Sequence, residues 1–187
     1  LDQFAKQSAL HYATQIANVG RRVGLKESIE PDRIANVDGM ASLNEIGRVV
    51  FKNVLVAEGK KDLEELDYDK ETLSVLYNFD MKRLMAVGGL FMDTAHTPSD
   101  NSHLSFDAQN KGIPVYALPE LRDRFAPLFE LAAKAESEGG GGLFVDDSGG
   151  EMVISTVARA KKDGALKDEE VDKLRPGLNL KVDYLDR

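Results

Sequence analysis

Apolar residues recur along this chain with two periods, and the switches between them mark its elements. Ala5, Ala9, Tyr12, Ile16 and Val19 fall at helical spacing and Gly20 and Gly24 follow, so the pattern predicts an amphipathic opening helix over residues 3–19. Residues 25–47, broken by Pro31, Gly39 and Gly47, predict a connection holding one short strand or helical turn. From Val49 the pattern becomes β-branched and continuous: residues 49–51 and 54–56, bounded by Gly47 and Gly59, predict strands. The charged block 58–70 predicts a surface excursion, helical around 61–66. Residues 73–77 predict a strand, 81–87 a short helix and 90–92 another buried strand, an order that suggests a parallel pair with a short crossover.

The second half repeats this alternation. A short helical pattern begins at His103 and ends in Gly112-Ile113-Pro114, and residues 114–118 predict the next strand. The histidine then stands on the connection that leaves the carboxyl end of a strand, where open α/β sheets usually place their chemistry. Residues 120–136 predict a helix with Leu121, Phe125, Leu128, Phe129 and Ala132 on one face and Pro127 as a potential kink. The run Gly139 to Gly142 leads into a hairpin of residues 143–145 and 152–154 around Asp147-Ser148-Gly149-Gly150. Since a strand follows those glycines, with no helix start bearing a Lys-Ser/Thr pair, a hairpin lead-in is favoured over a phosphate cradle. A charged tail follows Lys161 and breaks at Pro176-Gly177.

A length of 187 residues suffices for a sizeable core and favours one domain with extra elements. The formal charge of −8, with eight Phe, five Tyr, no Trp and no long basic run, argues against a nucleic-acid or anionic-membrane surface. No apolar stretch approaches the roughly 18 residues of a membrane span. The absence of cysteine removes disulfides, thiolate nucleophiles and Cys-ligated zinc, and a cytoplasmic location is the expectation. The chain opens on Leu1, so a piece processed or cut from a longer protein is expected. Asp93, His96, Asp100 and His103 are close in sequence, but they lack the helical spacing of a zinc pair, so a metal site is not favoured. Asp146-Asp147 and Glu64-Glu65 have no acid/base partner fixed by spacing and are read as turn and surface residues.

The segment from Asn101 to Val115 resembles the phosphohistidine segment of the swivelling domain in phosphoenolpyruvate-utilising enzymes, roughly Ser/Thr-His-Ala-Ala-Ile-x-Ala-Arg-x-x-Gly-Ile-Pro-Ala-Val. Ser102, His103, Ala108, Gly112, Ile113 and Pro114 are in register with it. The order of elements from about Val49 to Thr156 is similar to the same family, whose members include pyruvate phosphate dikinase, phosphoenolpyruvate synthase, enzyme I of the sugar phosphotransferase system, and glucan, water dikinase. The resemblance implies an α/β protein with a compact β/β/α swivelling domain over residues 46–160. An N-terminal helical extension or linker over 1–45 and a charged C-terminal tail over 161–187 would flank it.

It also implies that His103 accepts a phosphoryl group and passes it on, with Asn101, Ser102 and Ser105 binding the phosphate and Asp100 or Ser102 capping the helix. Neighbouring ATP-binding and acceptor domains of a longer parent chain would be the partners. Mg and ATP would belong to them, with no cofactor and no metal bound by this domain itself.

Two positions depart from the family pattern. The Gly-Gly pair that normally precedes the histidine is replaced by residues 97–101, with Gly88-Gly89 well upstream, and the arginine of the Ala-Arg pair is Gln109. The competing expectation is therefore a catalytically degenerate docking or regulatory module that keeps the fold without phosphotransfer.

Overall fold

The computed structural model describes residues 25–59, 61–62, 71–78, 88–98 and 101–176. The helices expected over 3–19 and 81–87, and all but the first residues of the one expected over 61–66, lie outside them. Within the described residues the chain is a mixed α/β protein of two five-stranded sheets and three helices.

One sheet combines β3 (Ala41–Asn44), β5 (Asn53–Ala57), β6 (Thr72–Leu76), β7 (Gly89–Asp93) and β8 (Val115–Leu118) in the order β3-β8-β7-β6-β5. Strands β5 to β8 are parallel and only the edge strand β3 runs against them. The side chains of β6 to β8 alternate between two buried faces, as the unbroken apolar runs require. Leu76, Leu90, Met92, Val115 and Ala117 point to one face, covered by Leu104 and Ala108 of α1 (Ser102–Lys111). Leu73, Val75, Phe91, Tyr116 and Leu118 point to the other, where they meet Leu121, Phe125, Leu128 and Phe129 of α2 (Leu121–Ala132) and the second sheet. Phe91 stands edge-on to both Tyr116 and Phe129, with ring centroids 5.5 and 5.9 Å apart. Pro127 is accommodated within α2 on its exposed side, so the helix continues through it.

The second sheet is antiparallel, in the order β1-β2-β10-β9-β4, and comprises β1 (Ser28–Glu30), β2 (Arg33–Ala35), β4 (Arg48–Phe51), β9 (Leu143–Asp146) and β10 (Val153–Thr156). The hairpin expected from residues 143–154 is β9 and β10. On the outer face of this sheet Val50 and Phe144 are covered by Val157 and Ala160 of α3 (Val157–Lys162) and by Leu166. Thr156 caps α3 by accepting the Arg159 N–H, and the Arg159 guanidinium reaches Glu30, Asp32 and Asp163.

Residues 28–44 therefore supply three strands to the two sheets, where the pattern of residues 25–47 suggested a connection with one short element. Residues 161–176, grouped from the sequence with the charged tail, also return to the body: Leu166 is buried, and the Val50 N–H donates to the Leu174 carbonyl.

Gly142 sits at the junction of β9 with the end of β4, with φ +102°, and a Cβ there would run into the Phe51 carbonyl. Gly142→Ala is expected to cost about 3 kcal/mol, from left-handed strain plus a backbone clash. Urea unfolding measures it, and a loss below about 1 kcal/mol would refute this account of the junction.

Candidate functional site

Strands β5 to β8 end on one edge of their sheet, at Ala57, Leu76, Asp93 and Leu118. The chain leaves β7 through a short 3-10 turn over Thr94–His96 and then enters α1, so the first turn of α1 stands at that carboxyl edge. His103 lies in this first turn and is exposed. Asp100 lies outside the described residues. Asn101, and not Ser102, is the N-cap residue, and it makes no side-chain cap bond. Its backbone carbonyl accepts the Ser105 N–H at 2.9 Å, the first rung of the helix. Ser102 is already helical, with 8 % of its surface exposed.

Ser105 faces away from the histidine. Two residues along a helix is a rotation of about 200°, which turns position 105 toward the sheet. Its hydroxyl is buried and donates to the Leu43 carbonyl of β3 at 2.8 Å. Asn44, on the same strand, holds the other end of the helix: its amide donates to the carbonyls of Ala108 and Ile113 at 3.1 and 2.8 Å. Gly112 terminates α1 in the left-handed conformation, φ 65°, and the Ile113 N–H returns to the Ala108 carbonyl, as a Schellman-type end requires. Helix α1 is thus pinned to β3 at two points, with His103 and Phe106 on its exposed side. Gln109 is exposed as well.

The remaining polar candidates separate from the histidine. Gly89 opens β7, so it lies at the opposite end of the strand from Asp93, about 13 Å away along it. The backbone N–H groups of Gly140, Gly141 and Gly142 donate to the carbonyls of Ala135 and Lys134, just beyond α2, and of Ala132, its last residue, so this run closes off the helix and offers no anion cradle. Asp146 accepts from Ser148 in its own turn, while Asp147 is buried and bonded to Tyr116 and Gly47. Asp93 accepts two backbone N–H groups. His96 is exposed on the 3-10 turn. Among the described residues, no group of three or more His, Asp or Glu is placed to hold a metal, and no helix is long and apolar enough to cross a membrane.

Asn44 and Asp93 were not singled out for these roles by the sequence. Asn44 ends a four-residue strand, and Asp93 acts on a helix that starts at Leu121, so neither has a local signature beyond an Asp before a turn.

The same carboxyl edge carries a tyrosine held under a cation. The Arg122 guanidinium lies 4.7 Å from the centre of the Tyr77 ring and pairs with Glu58 at 2.7 Å. Burial pushes the Tyr77 phenol up to about 12, against the pull of Arg122 and with Glu130 and Glu58 adding to the rise. An unfolded tyrosine ionises near about 10, so the unfolded chain loses this proton first and stability is expected to fall as pH rises from about 10 to about 12. Urea unfolding across that range, repeated on Tyr77→Phe, checks it: an identical decline in the variant would exclude Tyr77 as the source.

No family model, curated protein or solved structure matches the chain.

Proposed function

We propose that this chain is a swivelling phosphohistidine domain, the phosphoryl carrier of a multidomain ATP- or phosphoenolpyruvate-dependent phosphotransferase, with His103 as the group that is phosphorylated. The observation that carries the reading is an exposed histidine in the first turn of a ten-residue helix at the carboxyl edge of a parallel sheet. A neutral imidazole is a competent nucleophile near neutral pH. Its lone pair forms the N–P bond as the P–O bond to the donor's leaving group breaks, and the proton on the other ring nitrogen is released to solvent or to a partner group. The helix N-terminus favours the negative phosphoryl oxygens through its dipole. Docking of α1 on β3 through Ser105 and Asn44 supports the reading further, since phosphoryl transfer depends chiefly on positioning and charge neutralisation. Mg²⁺ and further cations would come from the ATP-binding and acceptor domains. Ser105 takes no part in holding the phosphate in this reading, because its hydroxyl is bonded to Leu43.

A second reading, a docking or regulatory module that has lost the chemistry, draws on Gln109 at the arginine position and on Gly89 at the far end of β7. Intact-mass analysis of the full-length protein after incubation with Mg-ATP or with Mg-phosphoenolpyruvate, kept alkaline throughout, separates the two. A carrier gains one acid-labile phosphoryl group that maps to His103. A protein that binds the donor and stays unmodified is the docking module.

A further inference from the structure

Asp93, the last residue of β7, uses both carboxylate oxygens on different elements. Oδ1 accepts the Ala95 N–H at 2.9 Å, within the connection that leads to His103, and Oδ2 accepts the Leu121 N–H at 3.0 Å, the first of α2. The Asp93 carbonyl accepts the Thr97 hydroxyl at 3.0 Å, which tightens the same turn. Helix α2 has no side-chain cap of its own: its N-cap residue, Glu120, is left-handed with φ 52° and makes no capping bond. The start of α2 is therefore held by a carboxylate from β7, in the manner of an N-cap supplied from outside the helix. Helices α1 and α2 lie on opposite faces of the parallel sheet, so Asp93 is where the connection to His103 is tied to the helix on the other side. Ser105 and Asn44 fix the body of α1, and Asp93 fixes the turn over residues 94–97 with which the connection toward it begins.

We infer that Asp93 is a positioning residue for His103, clamping the segment that delivers the histidine to the first turn of α2 so that the imidazole is presented at a fixed place on the sheet edge. The inference rests on His103 being the phosphoryl acceptor. A displacement of about 1 Å in a reacting group can lower a transfer rate by about 100-fold. The experiment measures the rate of acid-labile phosphoryl formation on His103 in the full-length protein, with Mg-ATP and Mg-phosphoenolpyruvate each varied in concentration. Wild type is compared with Asp93→Ala, Asp93→Asn and Arg124→Ala. The last breaks the ion pair with Glu27 near the same end of α2 while leaving the clamp in place.

With Asp93→Ala the maximal rate is expected to fall about 10- to 100-fold while the half-saturating donor concentration stays within about 3-fold. Asp93→Asn keeps one acceptor oxygen and should fall in between. Arg124→Ala should transfer at the wild-type rate even if its melting temperature drops. A folded Asp93→Ala protein that transfers at the wild-type rate overturns the inference, as does an Arg124→Ala protein slowed equally. An unmodified His103 in the wild type is a different result, and it overturns the carrier reading itself.

Discussion

Asp147→Ala is expected to lower the free energy of unfolding by about 4 kcal/mol, since it removes a buried carboxylate on which donors from both sheets converge. Asp147 follows β9 and is 3 % exposed. It accepts the hydroxyl of fully buried Tyr116, in the middle of β8, and at 2.7 Å the N–H of Gly47, which leads into β4. Its own N–H donates back to the Gly47 carbonyl, so the start of the hairpin turn is fixed on both sides. The substitution would withdraw this acceptor from a buried hydroxyl and a backbone N–H, each worth about 1–3 kcal/mol, and would leave a small void. Tyr116→Phe keeps the carboxylate and removes one donor, so about 1–3 kcal/mol is expected. Urea denaturation with an unchanged m-value is the measurement. A loss under about 1 kcal/mol for Asp147→Ala would mean that hydrophobic packing alone holds the sheets together.

His103→Ala is expected to have the opposite profile, with complete loss of phosphoryl occupancy and almost none of stability. The imidazole is exposed, and α1 is anchored by Leu104 and Ala108 in the core and by the Ser105 and Asn44 hydrogen bonds. Substitutions at exposed positions usually change stability by about 0.5 kcal/mol or less. Donor-dependent modification that persists in the variant would move the acceptor elsewhere in the chain. A large loss of stability would assign the histidine a structural role.

The parts of this fold that could be read from sequence are those whose burial leaves an unbroken or periodic apolar signal. Strands β6, β7 and β8 are buried on both faces and stand out as the runs around Leu73, Leu90 and Val115. Helix α2 shows its stripe directly, and the Asp-Ser-Gly-Gly turn announces β9 and β10. The first three strands could not be read in this way. β1 and β2 have three residues each, and their apolar content is Ile29, Ile34 and Ala35, too short a run for alternation to register. β2 is specified by pairing with β10, more than a hundred residues later, and β1 by pairing with β2.

The site divides in the same way. Helical spacing and Gly112 bring out the start and end of α1, and so the place of His103. Ser105 suggests a phosphate ligand only while the helix face is ignored. Asp93 and Asn44 act on partners far along the chain, where a single sequence has no means of showing the contact.

The most direct test of the account is phosphorus NMR of the full-length protein in alkaline buffer after incubation with Mg-ATP or Mg-phosphoenolpyruvate, with His103→Ala alongside. The account predicts one protein-bound phosphoramidate resonance that disappears on mild acidification and is absent from the variant. A wild-type protein with donor bound and no such resonance, or with the same resonance in both proteins, would contradict it.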